Sequence, residues 1–309
     1  MDRFAYLTRY MEYQLKKIRA YVINDRTFHH DRLKKVTGRT PDFINPVTLN
    51  EKICHRMLFD RDPLYTLLAD KLAVRDYIYS RTDKLKVPSL LGVYRRSSDI
   101  DFDKLPPRFV LKCNHDCGST LLCLDKRQFN IAEARQRLDL ALRKNMYYST
   151  REWQYKNIPP VILCEEYIDL FSGNNRDTTP EMLRIHCFHG AIGFIEADFT
   201  DAAGQGFINV YDSAWQRLPF QMEYPPTPYA IAKPTLLPDA INAAQALSRT
   251  LDYCRIDLML QGQTLYFSEI TLTPRRGKLT ISPPEWDRKL GEMWTLPTPL
   301  PEPELRQVV

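Results

Sequence analysis

One stretch limits the fold of this chain more than any other, the segment CRIDLMLQGQTLYFSEITLTPRRG at residues 254–277. Two apolar, strand-like runs surround a QGQ turn, which is typical of a β-hairpin. The same runs contain Arg255, Asp257 and Glu269, although strand interiors disfavour Asp and Glu and buried ionised groups normally need a partner. The hairpin therefore either exposes one face to water or holds a cation between its carboxylates.

The register of this hairpin decides which side chains share a face. Arg255 and Asp257 are two residues apart, so they point to the same side of their strand. We predict a three-residue loop at 261–263, which places Glu269 opposite Arg255 and brings Thr271 onto the same surface. A two-residue turn would move Glu269 to the other face, because a one-residue slip inverts every side chain.

Two carboxylates, a hydroxyl and an arginine at this density suit a magnesium-phosphate site. Mg²⁺ usually takes one or two carboxylates together with the phosphates of a substrate. A surface network of Arg, Asp and Glu is equally compatible with the spacing. The spacing of these residues alone does not choose between the two interpretations.

Two further segments have features of a nucleotide site. In RFVLKCNHDCGST, Lys112 ends a β-rich run and a short turn with Gly118, Ser119 and Thr120 follows. A lysine beside a flexible loop of backbone amides can hold phosphate oxygens. In VILCEEYIDL a buried strand ends in two acidic residues, a shape that can present backbone groups to a flat base. Each signal is weak alone, since a lysine at a strand end is usually just solvated.

The cysteines favour a reduced protein. The seven cysteines are scattered and mostly lie in strand-like runs, where a reduced cysteine behaves as a small hydrophobic residue. Cys113, His115, Cys117 and Cys123 form one cluster, but a structural zinc site normally takes two pairs of close ligands. The second pair is missing, so we favour reduced thiols over a zinc site.

Composition and charge narrow the class of protein. Hydrophobic residues make up 44% and charged residues 26% of the 309 residues, as in soluble globular proteins. No run approaches the roughly 20 apolar residues that cross a bilayer, and the N-terminus has no h-region or cleavage site, so we expect a cytoplasmic protein. The net charge of +5 suits an anionic substrate or a membrane surface. No nucleic-acid-binding motif is present, which disfavours such a partner.

The first 25 residues have the periodicity of an amphipathic helix, with Phe4, Leu7, Met11, Ile18 and Val22 near one face. The basic residues largely around that face are Arg3, Arg9, Lys16, Lys17 and Arg19. We favour a helix that packs its apolar face on the domain. The alternative is a dock for a membrane or an assembly partner, which would place the protein peripherally at the inner face of the membrane.

The rest of the chain mixes helical segments with hairpins. Thr48 or Asn50 is a candidate N-cap for a helix in TLNEKI, and a hairpin with His189 and Gly190 at its turn is predicted in MLRIHCFHGAIGFIEADF. This layout is α+β rather than a series of parallel βαβ units.

Taken in order, these segments resemble the TupA-like (teichuronopeptide-biosynthesis-like) branch of the ATP-grasp superfamily. The matching motifs lie between residues 42 and 291. They are INPVTLNEKI, ADKLAVRDYI, FVLKCNHDCGS, EWQYKNIPPVILCEEYI, RIHCFHGAIGFIEAD, RIDLMLQGQTLYFSEITLTPRRG and PPEWDRKLG.

The resemblance implies an α+β ATP-grasp fold in which two subdomains grip ATP, here with a helical N-terminal region. The implied boundaries are 1–106 for the helical region that precedes the ATP-grasp domain and 107–168 for a small lid subdomain that ends at the hinge. The large subdomain with the metal site would span 169–296, and 297–309 would be a loose tail.

The resemblance also implies which residues bind the nucleotide. They are Lys112, Asn114, His115, Gly118, Ser119, Thr120, Glu165, Glu166, Tyr167, Ile168, Asp169 and Arg184. Within this set, Lys112 and Arg184 would contact the phosphates, and the loop 114–120 would fold over them. The segment 165–168 would form the adenine hinge, and Glu166 or Asp169 would reach the ribose.

The resemblance also implies that Asp257 and Glu269 bind Mg²⁺. Of the two interpretations of the hairpin, it therefore favours a bound cation over a solvated surface network. ATP-grasp enzymes usually have Asn two residues after the second carboxylate, where this chain has Thr271, whose hydroxyl would be a weaker ligand. Arg184 stands where many relatives have lysine, and Cys117 lies in a phosphate loop where relatives tend to have small residues.

The implied reaction joins a carboxylate to an amine through an acylphosphate, with ATP and Mg²⁺. Arg184 and Arg255 would stabilise the transferring phosphoryl group, and Arg275 or Arg276 would clamp the acceptor carboxylate or stabilise the oxyanion. Because the branch is associated with cell-surface polymers, the implied partners are an amino acid and a uronic-acid-containing glycan or its lipid-linked precursor.

Three alternatives remain. A glycosyltransferase could use the Asp-Arg-Asp sequence at 60–62, but a metal-binding DxD motif normally follows a β-strand and this one lies between two helical segments. A kinase on the same fold would leave a stable phosphorylated product. A non-enzymatic binding module would have no reason to contain Lys112, Asp257 and Glu269 together.

Overall fold

The structure, a computed structural model, describes residues 3–172, 178–201 and 203–296. Within them the chain forms α-helices and antiparallel sheets, which confirms the predicted α+β class. The predicted loose tail at 297–309 and the segment GNNRD at 173–177, which is part of the predicted polar loop FSGNNRDTTPE, lie outside the described residues.

The chain divides into two compact units, each with its own sheet and its own buried hydrophobic cluster. Unit 1 contains Met1–Thr27, Arg61–Arg75 and Pro88–Ile168. Unit 2 contains Phe28–Asp60, Asp76–Val87 and Asp169–Val309. Each unit is therefore made of several stretches that are separated from one another in the sequence.

The helices lie mostly in the first half of the chain. They are α1 (Arg3–Val22), α2 (Asp25–Thr37), α3 (Leu49–Phe59), α4 (Pro63–Ala69), α5 (Val74–Arg81), α6 (Ile131–Leu142), α7 (Met146–Thr150), α8 (Leu237–Ser248) and α9 (Glu285–Glu292). The Thr48 hydroxyl accepts a hydrogen bond from the backbone N–H of Glu51 at 3.2 Å, and the Glu51 carboxylate accepts one from the Thr48 N–H at 3.0 Å. This capping box confirms Thr48 as the N-cap of α3.

Unit 1 is built on a four-stranded antiparallel sheet with the order β1-β4-β2-β3. Its strands are β1 (Leu90–Tyr94), β2 (Phe109–Cys113), β3 (Leu121–Cys123) and β4 (Ile162–Glu166). Phe109, Leu111 and Cys113 alternate toward a buried cluster that includes residues of α6. Because successive strand residues point to opposite faces, Lys112 of β2 and Glu165 of β4 share the other face.

Unit 2 is built on a five-stranded antiparallel sheet with the order β10-β9-β5-β6-β7. Its strands are β5 (Met182–Phe188), β6 (Ala191–Thr200), β7 (Gly206–Tyr211), β9 (Tyr253–Gln261) and β10 (Thr264–Thr271), and β8 (Gln221–Met222) pairs with β11 (Ile281–Ser282) in a separate sheet. One face packs on α8, where Ala240, Ala244 and Leu247 meet β-strand residues such as Ile256 and Leu258, all fully buried. The other face presents polar side chains.

The turn between β9 and β10 is shorter than the sequence suggested. Gln261 pairs with Thr264, so the turn consists of Gly262 and Gln263 alone. Gly262 has a φ of 55°, in the left-handed region that a two-residue hairpin turn requires and that glycine adopts without strain. The three-residue loop predicted at 261–263 is therefore wrong.

A β-bulge nevertheless returns Glu269 to the predicted face. The register shifts between Phe267 and Glu269 and leaves Ser268 without a partner, so Glu269 pairs with Asp257. The extra residue inverts the alternation of side chains once more. This second inversion cancels the inversion that the two-residue turn introduces.

One end of the polar face of this sheet is closed by a hydrophobic cluster. Tyr253 and Phe194 of the sheet belong to this cluster together with Leu49 and Ile53 of α3 and with Trp294, and all five are fully buried. The polar side chains of this face therefore lie at the strand positions next to the cluster.

Helix α1 packs on unit 1 through the side that carries Tyr13, whose hydroxyl accepts a hydrogen bond from the Asn145 N–H at 2.9 Å. The buried Arg151 donates to the carbonyl oxygens of Arg19 and Ala20, at 3.3 Å each, near the C-terminal end of the helix. The apolar stripe of α1 lies on the opposite side and is exposed. The prediction that this stripe packs on the domain is therefore wrong, because the tyrosine side and Arg151 make the contacts instead.

Candidate active site

Asp257 and Glu269 face each other across neighbouring strands. They are directly paired between β9 and β10, where side chains of opposite residues lie within contact distance. The Thr271 hydroxyl donates to Oε1 of Glu269 at 3.0 Å. The Glu269 side chain is 35% exposed, so one carboxylate of the pair reaches solvent.

Arg255 holds Asp257 in one orientation. Its Nε and Nη2 donate to Oδ1 and Oδ2 of Asp257, each at 2.7 Å, and Nη2 lies 3.8 Å from Oε1 of Glu269. Burial raises the pKa of the Asp257 carboxyl to about 6, because desolvation outweighs the opposing effect of Arg255. A carboxylate has about four lone-pair positions, so the bidentate arginine leaves acceptor capacity for a further ligand.

Arg184 stands next to this pair and is itself paired with an acid that the sequence analysis missed. Arg184 is the β5 partner of Asp257, and its Nη2 lies 2.5 Å from Oδ2 of Asp198 on β6. Burial raises the pKa of Asp198 to about 7. The sequence did contain a signal for Asp198. The segment IEAD places Glu196 and Asp198 two residues apart in an apolar strand, just as RID places Arg255 and Asp257 two residues apart.

His186 and Glu196 form a fully buried pair on the same face. His186 Nε2 lies 2.6 Å from Glu196 Oε1, Nδ1 lies 3.0 Å from the Tyr253 hydroxyl, and the ring stacks on Phe194 at 3.9 Å between centroids. Burial opposes ionisation of Glu196, but the hydrogen bond and charge of His186 hold its pKa at about 2. Both ring nitrogens of His186 are occupied, so its role is structural.

In unit 1, Lys112 is part of a three-membered charge cluster. Lys112 Nζ lies 2.6 Å from Oε2 of Glu165, and Arg75 Nη1 lies 3.3 Å from the other carboxylate oxygen. Glu165 is almost fully buried, whereas the Lys112 side chain is 18% exposed. Glu165 therefore has two cationic partners, and Lys112 is the more accessible of them. Nothing local in the sequence indicated Arg75, which comes from α5.

The first residues of the predicted phosphate loop are turned into unit 1. The Asn114 side-chain amide donates to Asp70 Oδ1 at 2.9 Å, and its oxygen accepts from the Val161 N–H at 2.8 Å. His115 Nε2 donates to the Lys144 carbonyl oxygen at 3.0 Å. Both side chains are buried, so any contact of these two residues with a nucleotide would be made by the backbone.

The later residues of this loop are more open. Gly118 and Thr120 are exposed, and Gly118 has a φ of 114° with open space around its Cα. The Ser119 hydroxyl accepts from the Cys113 N–H at 2.8 Å and donates to Asp116 Oδ1 at 2.5 Å. These bonds hold the loop in a compact turn, and its role in phosphate binding stays a prediction.

The predicted hinge at 165–168 contains the last two residues of β4 and the two residues after it. The Glu166 carboxylate accepts hydrogen bonds from the N–H and hydroxyl of Ser89 at 2.7 and 2.9 Å. The Arg108 guanidinium stacks over the Tyr167 ring at 5.2 Å from its centroid. Residues 168–169 are half-buried. Their contacts with adenine and ribose stay predictions.

The PRRG turn after β10 has an unusual backbone. Arg275, Arg276 and Gly277 are consecutive left-handed residues, with φ of 50°, 58° and 64°. A Cβ at Gly277 would lie 2.6 Å from the Asn50 carbonyl oxygen, so glycine is needed for the close approach to α3. Left-handed non-glycine residues are uncommon and store strain, which is typical of ligand sites.

The two arginines of this turn have different surroundings. Arg275 forms an ion pair with the carboxylate of Glu223. Arg276 and the nearby Lys278 make no side-chain hydrogen bond or ion pair within the part of the chain that the structure describes. Burial lowers the pKa of Lys278, and Arg32 and Arg276 lower it further. Glu223 therefore pairs with Arg275 but does not neutralise the positive charge of Arg276 and Lys278.

The oxygen donors of the hairpin fit Mg²⁺. Asp257, Glu269 and the Thr271 hydroxyl supply carboxylate and hydroxyl oxygens on one face. Within residues 3–172, 178–201 and 203–296, no group of three or more His, Cys, Asp or Glu side chains is arranged to hold a metal. Mg²⁺ commonly takes only one or two carboxylates and completes its octahedron with phosphates and water, so the donor set matches this ion.

The solved structures that are similar to the chain include two ligases. One is D-alanine–D-alanine ligase from Bacillus anthracis complexed with ATP (18% identity, TM-score 0.39, 67% of this chain and 55% of that chain). Another is L-amino acid ligase from Bacillus licheniformis (13% identity, TM-score 0.42, 72% of this chain and 44% of that chain). The chain thus spans about half the length of these two proteins. No curated protein sequence matches it.

The family model for TupA-like ATP-grasp proteins matches residues 51–295. This range contains Lys112, both hairpin carboxylates and the PRRG turn, and it confirms the resemblance drawn from the motifs. The chain therefore belongs to the TupA-like ATP-grasp family.

Proposed function

We propose that this protein is an ATP-dependent carboxylate–amine ligase that amidates a uronic-acid carboxylate of a cell-surface polysaccharide with an amino acid. The polymer would be of the capsule, O-antigen or teichuronic type, taken as a glycan or its lipid-linked precursor in the cytoplasm. One observation carries the ligase assignment, the direct pairing of Asp257 with Glu269 beside Arg255 and Arg184. Membership of the ATP-grasp family supports ATP as the co-substrate.

The reaction would have two steps. A carboxylate oxygen attacks the γ-phosphorus of ATP, the bond to the β-phosphate oxygen breaks, and ADP leaves behind an acylphosphate. The amine nitrogen then attacks the acyl carbon, the bond to the phosphate oxygen breaks, and inorganic phosphate leaves. The nitrogen loses a proton to give the amide.

Arg184 and Arg255 would stabilise the negative charge on the transferring phosphoryl group. Arg184 is held by the half-buried carboxylate of Asp198 at 2.5 Å, and Arg255 by the buried carboxylate of Asp257 at 2.7 Å. Such pairing fixes the guanidinium groups before the substrate arrives, so little reorganisation is needed during reaction. Asp198 acts in this scheme as a positioning residue for Arg184.

Lys112 would contact the ATP phosphates. Its partner Glu165 is buried and also bonded to Arg75. When Lys112 turns toward a phosphate, Arg75 remains paired with the buried carboxylate of Glu165. The free-energy cost of an unpaired buried charge is therefore avoided.

Asp257 and Glu269 would hold Mg²⁺, with Thr271 as a weaker donor. The bound ion would neutralise negative charge on the phosphates. The chain's own contribution is to present both carboxylates on one face, with Asp257 oriented by Arg255.

Arg276 and Lys278 would bind the anionic acceptor. In the described part of the chain neither side chain has an ion-pair partner, and the lowered pKa of Lys278 reflects its burial and then repulsion by neighbouring arginines. An acidic glycan would relieve this repulsion. Arg275 is less suited to that role because Glu223 already pairs with it.

Changing Arg276→Gln together with Lys278→Gln is expected to weaken binding of oligogalacturonate by roughly tenfold or more, since two charge-assisted contacts are removed. The thermal shift with Mg-ATP should be unchanged. Thermophoresis with labelled protein measures the first quantity. The exposed Lys233→Gln variant removes one charge from the same unit and should bind as the wild type does; equal affinity of all three proteins would contradict the assignment.

Two other activities are less well supported. In the Asp-Arg-Asp sequence at 60–62, the Asp62 side chain accepts from the Leu64 N–H at 2.9 Å as the N-cap of α4. That carboxylate is engaged in capping, which disfavours a glycosyltransferase metal motif. A kinase on the same fold would use the same nucleotide residues but release no inorganic phosphate.

The proposed function is tested with the purified chain. Melting temperatures are measured with Mg²⁺ alone, Mg-ATP and Mg-UDP-glucose; a ligand at 100 times its Kd should add about 2.7 kcal/mol to the free energy of unfolding. ADP and phosphate release are then assayed with glucuronate or galacturonate oligomers and a mixture of amino acids. Stabilisation by Mg-ATP and release of both products would support the ligase. ADP release without phosphate would indicate a kinase, and stabilisation by the UDP-sugar alone would indicate a glycosyltransferase.

A further inference from the structure

The outer side of α1 is an apolar stripe, which consists of Leu7, Met11, Leu15, Ile18 and Val22. These residues are 48%, 64%, 65%, 60% and 78% exposed, in that order. Their spacing of three and four residues places them in one narrow sector of the helix at about 100° per residue. From the first to the last, the stripe is about 23 Å long at 1.5 Å per residue.

The stripe is not the packing face of the helix. Tyr13, which is 5% exposed, lies about 200° around the helix from Met11. Its hydroxyl bonds to the Asn145 backbone, and Arg151 bonds to the carbonyl oxygens near the end of α1. The side that contacts unit 1 is therefore tyrosine-rich, and the most hydrophobic sector points to solvent.

Basic residues accompany the stripe. Among the described side chains of α1, the charged ones are Arg9, Lys16, Lys17, Arg19 and a single acid, Glu12. Lys17 and Arg19 lie on opposite sides of the stripe at the helical spacing. Lys16 and Arg9 also lie near Lys144 of unit 1, whose pKa is lowered first by burial and then by these two cations, with Glu12 and Asp116 acting in the opposite direction.

We propose that α1 lies in the interface of an anionic lipid bilayer, with the stripe inserted among the acyl chains. An amphipathic helix with an apolar sector and a basic polar face has this property. Within the described residues, no helix is long and apolar enough to cross a membrane, so the helix lies on the surface. This inference does not rest on the proposed ligase, although a lipid-linked substrate would be presented at the same surface.

Charge distinguishes this partner from a second copy of the chain. Helices that pair through an apolar seam usually place opposite charges on the two sides of the seam. Here Lys17 and Arg19 flank the stripe. Glu12 is the single acid among the five described charged side chains of α1 and lies on the same side of the helix as Arg19, and the helix keeps a net positive charge, so two copies of α1 would repel each other. Anionic headgroups instead attract each basic residue that lies near the membrane surface.

The test uses the full chain and vesicles of phosphatidylcholine with or without 30% phosphatidylglycerol, in a flotation assay. The wild type is expected to bind the anionic vesicles and to detach as salt is raised. Leu15→Ser with Ile18→Ser should reduce binding by at least about tenfold, because two apolar side chains lose their insertion energy. Lys16→Gln with Arg19→Gln should also reduce binding, mainly at low salt.

Leu122→Ser with Leu124→Ser is the matched control, since these two leucines of unit 1 are 57% and 58% exposed. It should bind vesicles as the wild type does, and all variants should keep the wild-type melting temperature. Equal binding by the stripe variant and the wild type would overturn the proposal. So would the absence of binding to anionic vesicles, or a wild-type dimer in sedimentation that the Leu15→Ser, Ile18→Ser variant abolishes.

Discussion

Replacing Glu269 with glutamine is expected to remove the stabilisation that Mg-ATP gives to the wild-type protein. The substitution keeps the shape of the side chain and an oxygen acceptor for the Thr271 hydroxyl, which lies 3.0 Å away, but removes the negative charge that Mg²⁺ needs. The ATP-dependent release of phosphate should fall by at least about a hundredfold, the scale of losing one transition-state charge contact. Thermal shift and phosphate release measure the two effects.

The melting temperature without ligand should hardly change, since the Glu269 side chain is 35% exposed and its contact with Arg255 is 3.8 Å long. Asp257 is a poorer choice for this test, because its removal would leave the buried Arg255 without its bidentate partner. Glu285→Gln, an exposed carboxylate in the same unit, controls for the lost charge. A variant at Glu269 that retains the Mg-ATP shift and full turnover would exclude the proposed metal site.

Replacing Arg56 with methionine is expected to destabilise unit 2 by about 3–5 kcal/mol. Arg56 is 3% exposed and donates to the carbonyl oxygens of Tyr253 and Leu272, at 2.7 and 3.1 Å. It also forms an ion pair with Asp252 and stacks on Trp294 at 4.3 Å from the ring centroid. Methionine fills part of the volume but removes the Arg56 donor from two carbonyl oxygens and the cationic partner from Asp252, which still accepts hydrogen bonds from Trp294 Nε1 and the Tyr253 N–H.

The two carbonyls lie at the start of β9 and just after β10, so Arg56 ties α3 to the base of the hairpin that presents the carboxylates. Urea unfolding at 25 °C measures the loss of free energy. Arg288→Met is the matched control, because Arg288 is 70% exposed and, among the residues that the structure describes, pairs only with Glu292 on its own helix. A surface change of this kind should stay within about 0.5 kcal/mol. Similar stability of the two variants would show that Arg56 does not anchor the hairpin.

The β9–β10 hairpin shows which features of the candidate site a local sequence pattern can predict. Alternation of apolar and polar residues predicts two strands and puts Arg255 and Asp257 on one face, because side chains in a strand alternate with a period of two. The pairing of Glu269 depends on the turn at Gly262 and on the bulge at Ser268. Two compensating one-residue shifts leave the same final face, so the prediction reached the right surface through the wrong register.

Residues that matter through partners distant in the sequence were harder to find. Arg75 reaches Glu165 from a helix 90 positions away, and Arg56 reaches the Tyr253 carbonyl across 197 positions. Asp198 had a local signal, two acids alternating in an apolar strand, but its partner Arg184 is set by the pairing of β5 with β6. Such contacts depend on strand order, which no local periodicity encodes.

By itself, the sequence determined the α+β class, the His-Gly turn of the β5–β6 hairpin, an N-cap of α3 at Thr48 or Asn50 and the candidate metal carboxylates, because each depends on residues close together in the chain. Only the tertiary structure decided which side of α1 packs. The periodicity of that helix is the same whether its apolar stripe is buried or exposed. The outcome rests on Tyr13 and Arg151, whose contacts join α1 to residues more than 120 positions away.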